Sequence, residues 1–350
     1  MLLTSFGGIE KRFLQRYNLK VTYSLFYEKL VGIMYLYLTS RSELEKELIK
    51  AECLAITGVL PDENGIAIKD ELITQEYDVK LSINVSRSAY IKTCVRIIVH
   101  STDLADIYEQ IDNLNLHSDA FRVSVIKIPR SIKLDPQAIM NQVGARIGGK
   151  PDLKNPKVEF IVVITERDIW LGEMISESDG TWSEHSQKIH QYSSSLPTRF
   201  ARAVVNLVAL PGDKIIDPCC GSGTILIESA SIGIKAVGCD INPLMAKASA
   251  ENVRHFNLDV PIVISDARSI KGKFDAVVTD LPYGKNCPLD DQLCYEILIN
   301  LRNLAPKSAI VAGTDISRLL SQIGYKIKQV VSVPKHSMIR YVHVVESREK

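Results

Sequence analysis

The sequence of 350 residues contains no long apolar run. Runs such as Ile161–Ile164 fall far short of the ~20 residues that cross a bilayer, so no membrane partner is expected. An excess of one charge is also missing. Forty-two Lys+Arg against 41 Asp+Glu leave +1, so any surface for a polyanion has to be local. Aromatic residues make up only 7%, and 19 Gly with 14 Pro are too few for a collagen-like or low-complexity chain. Seven cysteines (53, 94, 219, 220, 239, 287, 294) form no CxxC pair and no metal-ligand spacing, so no metal is expected. Their odd number, and the lack of a cleavable signal, point to reduced thiols in a cytoplasm. The rest is ordinary for a globular chain, with 46% hydrophobic and 24% charged residues, and the length implies two or three domains.

Met1–Ile33 holds basic residues and scattered aromatics without periodicity. It is read as an N-terminal extension, or as an over-long start with Met34 the initiator. From Met34 the pattern sharpens: MYLYLTS alternates as a strand does, and SRSELEKELIKAECLAIT follows as an amphipathic helix. Pro61–Gly65 is a turn cluster whose Asn-Gly pair signals a hairpin. Val79–Val85 and Tyr90–Val99 are predicted strands and Thr102–Leu114 a helix. Residues 34–115 thus read as a small α+β unit with no candidate chemistry.

Phe121–Ile128 (FRVSVIKI) alternates as a half-buried strand, and Leu134–Ile147 is a helix capped by Asp135 with Pro136 in its first turn. Val158–Ile164 and Ile169–Gly172 are two more strands. Between Arg122 and Lys157 stand eight basic residues and two acidic ones, Asp135 and Asp152. Such a face suits a phosphate backbone, although on charge alone a solvated Lys/Arg surface is the better reading. The stretch from FRVSVIKI through VGARIGG to KPDLKNPKVEFIVVI, over about residues 50–175, is similar to the THUMP domain, an RNA-binding module of RNA-modification enzymes. The resemblance implies that this half grips tRNA, through Arg130, Lys133, Arg146, Lys150, Lys154 and Lys157.

Ser176–Ser195 is polar, Ser-rich and aperiodic, and reads as a linker in which His185 and His190 are solvated. Leu196–Leu210 is then a helix, with Phe200, Val204, Leu207 and Val208 on one face and Arg199 and Arg202 elsewhere. From Lys214 strands and helices alternate, as in a doubly wound parallel sheet. The first strand ends in Asp217-Pro218-Cys219-Cys220-Gly221-Ser222-Gly223, where glycines at a strand-to-helix turn let a ligand approach the backbone. Cys219 and Cys220 are expected to be small packing residues there. The second strand ends in Asp240, placed to accept two ribose hydroxyls, and the third near Asp266, placed to face an adenine amine. Leu226 stands where a dinucleotide fingerprint needs its third glycine, and no Gly-Lys-Ser/Thr loop occurs. A nucleoside ligand such as S-adenosylmethionine is favoured over NAD or ATP.

The fourth strand, Phe274–Thr279, ends in Asp280-Leu281-Pro282-Tyr283. This tetrapeptide resembles the (Asp/Asn/Ser)-Pro-Pro-(Tyr/Phe) motif of class I methyltransferases that act on exocyclic amines of bases. An aromatic amine is a poor nucleophile because its lone pair is delocalised. A side-chain oxygen and a backbone carbonyl would hold its two hydrogens, and Tyr283 would stack on the flipped base. Leu281 departs from the commoner Pro, but only its carbonyl is needed. Taken alone, Asp280 could be a capping residue and Tyr283 a core aromatic. Ser308–Gly313 is a fifth strand, and Tyr325–Val333 and Arg340–Glu346 a closing antiparallel pair.

Leu196-Pro197, Ala201-Arg202 and Val205-Asn206-Leu207 are further similar to the guanine-N2 methyltransferases of tRNA position 10, which pair a THUMP domain with this motif. The resemblance implies an α/β class I, Rossmann-like methyltransferase domain (196–350) behind a linker (176–195) and an α+β ferredoxin-like/THUMP module (34–175). It places the target amine at Asp280, Leu281, Pro282 and Tyr283. S-adenosylmethionine is placed on Asp217, Pro218, Cys219, Gly221, Gly223, Asp240, Ile241, Asp266, Ala267 and Asp280. The expected activity is N2-methylation of a tRNA guanosine, at position 10 or, as Leu281 suggests, position 6. An adenine-N6 methyltransferase and an inactive RNA-binding relic stand as alternatives, and a small activator protein partner is left open.

Overall fold

The computed structural model describes residues 33–70, 79–282, 291–335 and 338–347. In chain order the first half runs β1 (Met34–Thr39), α1 (Lys46–Thr57), β2 (Ile66–Asp70), α2 (Val79–Ile83), β3 (Ile91–Ser101), α3 (Leu104–Leu114), β4 (His117–Lys127), α4 (Pro136–Arg146), β5 (Gly148–Pro151), β6 (Val158–Ile164) and β7 (Ile169–Glu177). Its strands make a seven-stranded sheet in the order β2-β1-β3-β7-β6-β4-β5. Alternation along β4 turns Phe121 and Val123 into a core shared with Ile107 and Ile111 of α3 and Ile139 and Val143 of α4. Arg122 and Ser124, on the opposite face, both bind Glu159 of β6. Asp135 caps α4 as expected, its carboxylate accepting the Gln137 N–H at 2.9 Å.

The second half runs from a 3-10 helix (Thr181–Gln187) through α5 (Thr198–Asn206), β8 (Lys214–Asp217), α6 (Thr224–Ser231), β9 (Lys235–Asp240), α7 (Pro243–His255), β10 (Ile262–Ile264), β11 (Ala276–Asp280), α8 (Asp291–Leu304), β12 (Lys307–Ala312) and α9 (Ser317–Ile323) to the hairpin β13 (Tyr325–Lys335) and β14 (Met338–Ser347). The sheet order is β10-β9-β8-β11-β12-β14-β13, parallel from β10 to β12 and antiparallel at β14. Strands such as AVVTD and KSAIVA are apolar nearly throughout because parallel central strands are covered on both faces. The chain winds outward from β8 to β10 and then resumes at β11 on the other side of β8. That reversal is the topological switch point, where open α/β sheets bind ligands.

The structure departs from the sequence reading in three places. Val79–Val85, read as a strand from its alternation, holds the one-turn helix α2, five residues being too few for the period to decide between the two. The two compact units part between Ser176 and Glu177, at the start of the stretch read as a linker, but the second unit also takes in two segments from the first half of the chain. Among the described residues, one comprises 33–37, 62–70, 79 and 93–176; the other comprises 38–61, 80–92 and those from 177 onward. The reason is a buried polar hub within the second unit. Glu52 of α1 is fully buried and accepts hydrogen bonds from Ser88 Oγ, the N–H groups of Ala89 and Tyr90, and Asn206 Nδ2 of α5, all at 2.7–2.8 Å. Arg87 donates to Asn206 Oδ1 at 2.9 Å and to the Ala209 carbonyl at 3.0 Å.

Third, the stretch 176–195, read as a linker, is not solvated throughout. His185 is buried and bonds Glu228 at 2.8 Å, and His190 pairs with Glu251. Arg202, read as lying off the packed face of its helix, is wholly buried and donates to Glu228 Oε2 at 2.7 Å. Apart from Ile33, the stretch 1–33 lies outside the described residues.

Removing one partner of a buried charged hub costs about 3–5 kcal/mol. A fragment of residues 177–350 lacks both Glu52 and Arg87, and is expected to show no cooperative urea transition where the intact chain does. A sharp transition in the fragment would show the hub to be dispensable.

Candidate active site

The loop after β8 is shaped by its glycines. Gly221 has φ +51° and open space where a Cβ would stand. Gly223 has φ +83°, and a Cβ there would fall 2.4 Å from Ser249 Oγ on α7. One glycine leaves room beside the backbone and the other lets α6 start hard against α7.

Three carboxylates meet at this end of the sheet. Asp217, at 1% exposure, accepts Thr279 Oγ1–H at 2.9 Å and the Cys219 N–H at 3.2 Å. Burial lifts its carboxyl to about 8, with the charges of Asp280 and Asp240 adding to the effect. Asp240, at the end of β9, accepts the Gly221 N–H at 2.8 Å on one oxygen and the Asn242 N–H at 2.9 Å on the other. It therefore ties the second strand to the cofactor loop and keeps lone pairs for a ligand. Asp280, half-buried, ends β11 opposite Val311 of β12.

The other expected residues are placed as follows. Leu281 donates its N–H to the Val311 carbonyl at 3.0 Å and buries its side chain in the core, while Pro282 is half-buried. Tyr283 lies outside the described residues. Pro218 is buried and Ile241 is 66% exposed. Burial pushes the half-exposed Cys219 thiol well above its ordinary range, so it is not a thiolate. Ala267 is buried, its carbonyl held by Asn300 Nδ2 at 2.7 Å. Asp266 differs from expectation. Arg268 bonds both its oxygens at 2.6–3.1 Å and holds its carboxyl below the usual range, so it is a loop anchor before it is a ligand for adenine.

The basic residues attach to β4 at two levels. Arg130 and Lys133 follow the end of β4, whereas the Lys150–Lys157 turn folds back to its middle. There Asp152 and Lys157 donate their N–H groups to the carbonyls of Phe121 and Ala120. Seven residues of strand, about 23 Å, separate Phe121 from Ile128. Arg146 is engaged, paired with Asp112 at 3.3 Å and lying 4.6 Å over the Tyr108 ring. Arg130, Lys133, Lys150, Lys154 and Lys157 are exposed.

Sequence reasoning missed Thr279, which orients Asp217, and the packing of 188–195 on the cofactor loop. Ser195 Oγ meets Ser222 Oγ at 2.8 Å. Asn252 bonds the backbone of His190 and the Ser222 carbonyl at 2.8–3.0 Å. A conspicuous run of small polar residues before α5 was the available signal.

A nucleoside carrying a cationic sulfonium fits these residues. The glycine loop opens beside its backbone, Asp240 suits ribose hydroxyls, and clustered carboxylates suit positive charge. The fold and site define a Rossmann-like methyltransferase whose cofactor is S-adenosylmethionine. Residues 187–293 match the RMKL-like methyltransferase domain family. The tRNA (guanine(10)-N2)-dimethyltransferase of Methanothermobacter thermautotrophicus is 30% identical over 283 residues, 74% of this chain and 83% of that protein. Its counterpart from Pyrococcus abyssi is 32% identical over 227 residues, 60% of this chain and 67% of that one. The human tRNA (guanine(6)-N(2))-methyltransferase THUMP3 is 29% identical over 156 residues, 39% of this chain and 30% of that protein. The crystal structure of TrmN from Thermus thermophilus aligns with a TM-score of 0.46 at 18% identity, covering 90% of this chain and 99% of that one. The chain belongs to the family of tRNA guanine-N2 methyltransferases.

The raised Asp217 carboxyl has a consequence for stability. Its folded pKa of about 8 exceeds the ordinary 3.8, so the unfolded chain gives up the proton first. The contribution of the neutral carboxyl is complete below the ordinary carboxylate range and is lost as pH rises towards 8. Asp217→Asn is expected to remove this loss. Urea unfolding at pH 6 and 8.5 should show wild type falling relative to the variant by about 1 kcal/mol or more. Parallel behaviour would place the Asp217 pKa in the ordinary range.

Proposed function

We propose that the protein methylates the exocyclic N2 of guanosine 10 in tRNA, giving N2-methylguanosine and then N2,N2-dimethylguanosine. The observation that carries this reading is Asp280 at the switch point, one strand from Asp217 and the glycine loop, in a chain whose archaeal relatives are named for that reaction. The cofactor supplies an electrophilic methyl group. Asp280 accepts one N2 hydrogen and the Leu281 carbonyl the other, which holds the amine while its lone pair turns to the methyl. As the nitrogen gains positive charge its proton becomes acidic and passes to Asp280 or water. Leu281 buries its side chain away from this chemistry, which needs only its carbonyl, a group any residue supplies. We assign the first compact unit, as a THUMP-type module, to tRNA binding, with Lys150, Lys154 and Lys157 on phosphates. No helix among the described residues is long and apolar enough to cross a membrane. The cytoplasm is the compartment proposed for the enzyme.

The test uses labelled S-adenosylmethionine with two tRNA transcripts, one wild type and one with guanosine 10 replaced by adenosine. Label in methylated guanosine that disappears with the substitution supports the reading; label that persists moves the site elsewhere. Asp280→Ala should slow methylation roughly 10²–10⁴-fold with tRNA affinity nearly unchanged. Joint loss of rate and affinity would remove its catalytic role. Alanine at Lys150, Lys154 and Lys157 together should weaken tRNA binding and flatten its salt dependence by about two to three logarithmic units per unit of log salt. An unchanged slope would take these lysines out of the interface.

A further inference from the structure

Lys188 stands before α5 in the segment that packs on the cofactor loop, and only 6% of its surface is exposed. Its ammonium donates to Thr224 Oγ1 at 2.5 Å and, weakly, to Ser222 Oγ at 3.4 Å. Both partners are neutral hydroxyls. The carboxylate that acts on it electrostatically, Glu228, is already bonded to His185 at 2.8 Å and to Arg202 at 2.7 Å. Among the described residues Lys188 thus makes no ion pair, although buried charges in proteins are paired as a rule. Its position compounds the cost. Thr224 is the first residue of α6, so the ammonium sits at the positive end of a helix, where cations are disfavoured and anions are held. Burial accordingly lowers its pKa to about 8. Both partner residues belong to the loop assigned to the cofactor. The bonds of Ser195 and Asn252 to Ser222 fix this segment against that loop.

We propose that Lys188 is an anion-binding residue, whose third N–H and charge receive the carboxylate at the amino-acid end of the cofactor. The proposal rests on the reading of the loop as an S-adenosylmethionine site. It gives a reason for a buried, unpaired cation at a helix start: the missing counter-charge arrives with the ligand. Lys has three donors, of which the protein occupies two.

The test is calorimetric binding of S-adenosylhomocysteine and of its decarboxylated analogue to wild type, Lys188→Met and Lys188→Gln. Wild type is expected to favour S-adenosylhomocysteine by roughly 10–100-fold, the value of a charge-assisted hydrogen bond. The variants should bind both molecules alike, at the level of the analogue. Equal affinities in wild type would overturn the proposal without any variant. So would a fall of both ligands together in the variants, which would mark Lys188 as loop scaffolding. Wild type that binds neither molecule would instead reject the cofactor reading itself.

Discussion

Helix α5 carries two buried polar side chains one turn apart, and each meets a fully buried glutamate. Arg202 reaches Glu228 on α6, and Asn206 reaches Glu52 on α1. Neither carboxylate could be left alone in a core, because an unpaired buried charge costs several kcal/mol. The pairs therefore determine which helices lie against α5. Further bonds spread from them. Arg202 also holds Thr181 and Ser231, at 3.0 and 2.8 Å, so the segment carrying His185 and Lys188 is tied to the helix that begins at the cofactor loop. Apolar packing by Phe200, Val204 and Val208 supplies cohesion, while the polar stripe supplies the choice of neighbour.

The chemistry at the sheet edge follows from the same economy of placement. Parallel strands bring the last residues of β8, β9 and β11 to one edge, and in each of them that residue is aspartate. Burial raises the proton affinity of Asp217, and the charges of Asp280 and Asp240 add to it. A cationic ligand relieves this crowding. The site is thus electrostatically incomplete in two opposite senses, with surplus negative charge at the strand ends and an unpaired ammonium at Lys188. S-adenosylmethionine carries a group of each sign.

Much of this was legible in the sequence because it depends on local pattern. Buried parallel strands read as apolar runs, and an aspartate closing such a run lies at the ligand edge by topology alone. Asp217, Asp240 and Asp280 were expected at strand ends in that way, and each ends its strand. What the sequence did not disclose depends on distant partners. The Ser-rich stretch 176–195 looks like a linker because its residues are polar, yet His185, Lys188 and Ser195 find buried partners 27–43 positions away. The capture of Asp266 by Arg268 likewise depends on a side-chain geometry that spacing does not reveal. Nor does the run of basic residues disclose that its two groups attach to β4 at its middle and beyond its end.

The distance along the chain between Glu52 and Asn206, 154 residues, also matters during synthesis. Translation at about 5–20 residues per second leaves α1 without its partner for roughly ten to thirty seconds. During that interval its buried face (Leu48, Ile49, Ala51) has no part of α5 to cover it. The catalytic unit therefore cannot assemble progressively from its N-terminus. It condenses only after α5 and the strands behind it have left the ribosome, and until then the nascent chain exposes apolar surface that a chaperone would recognise.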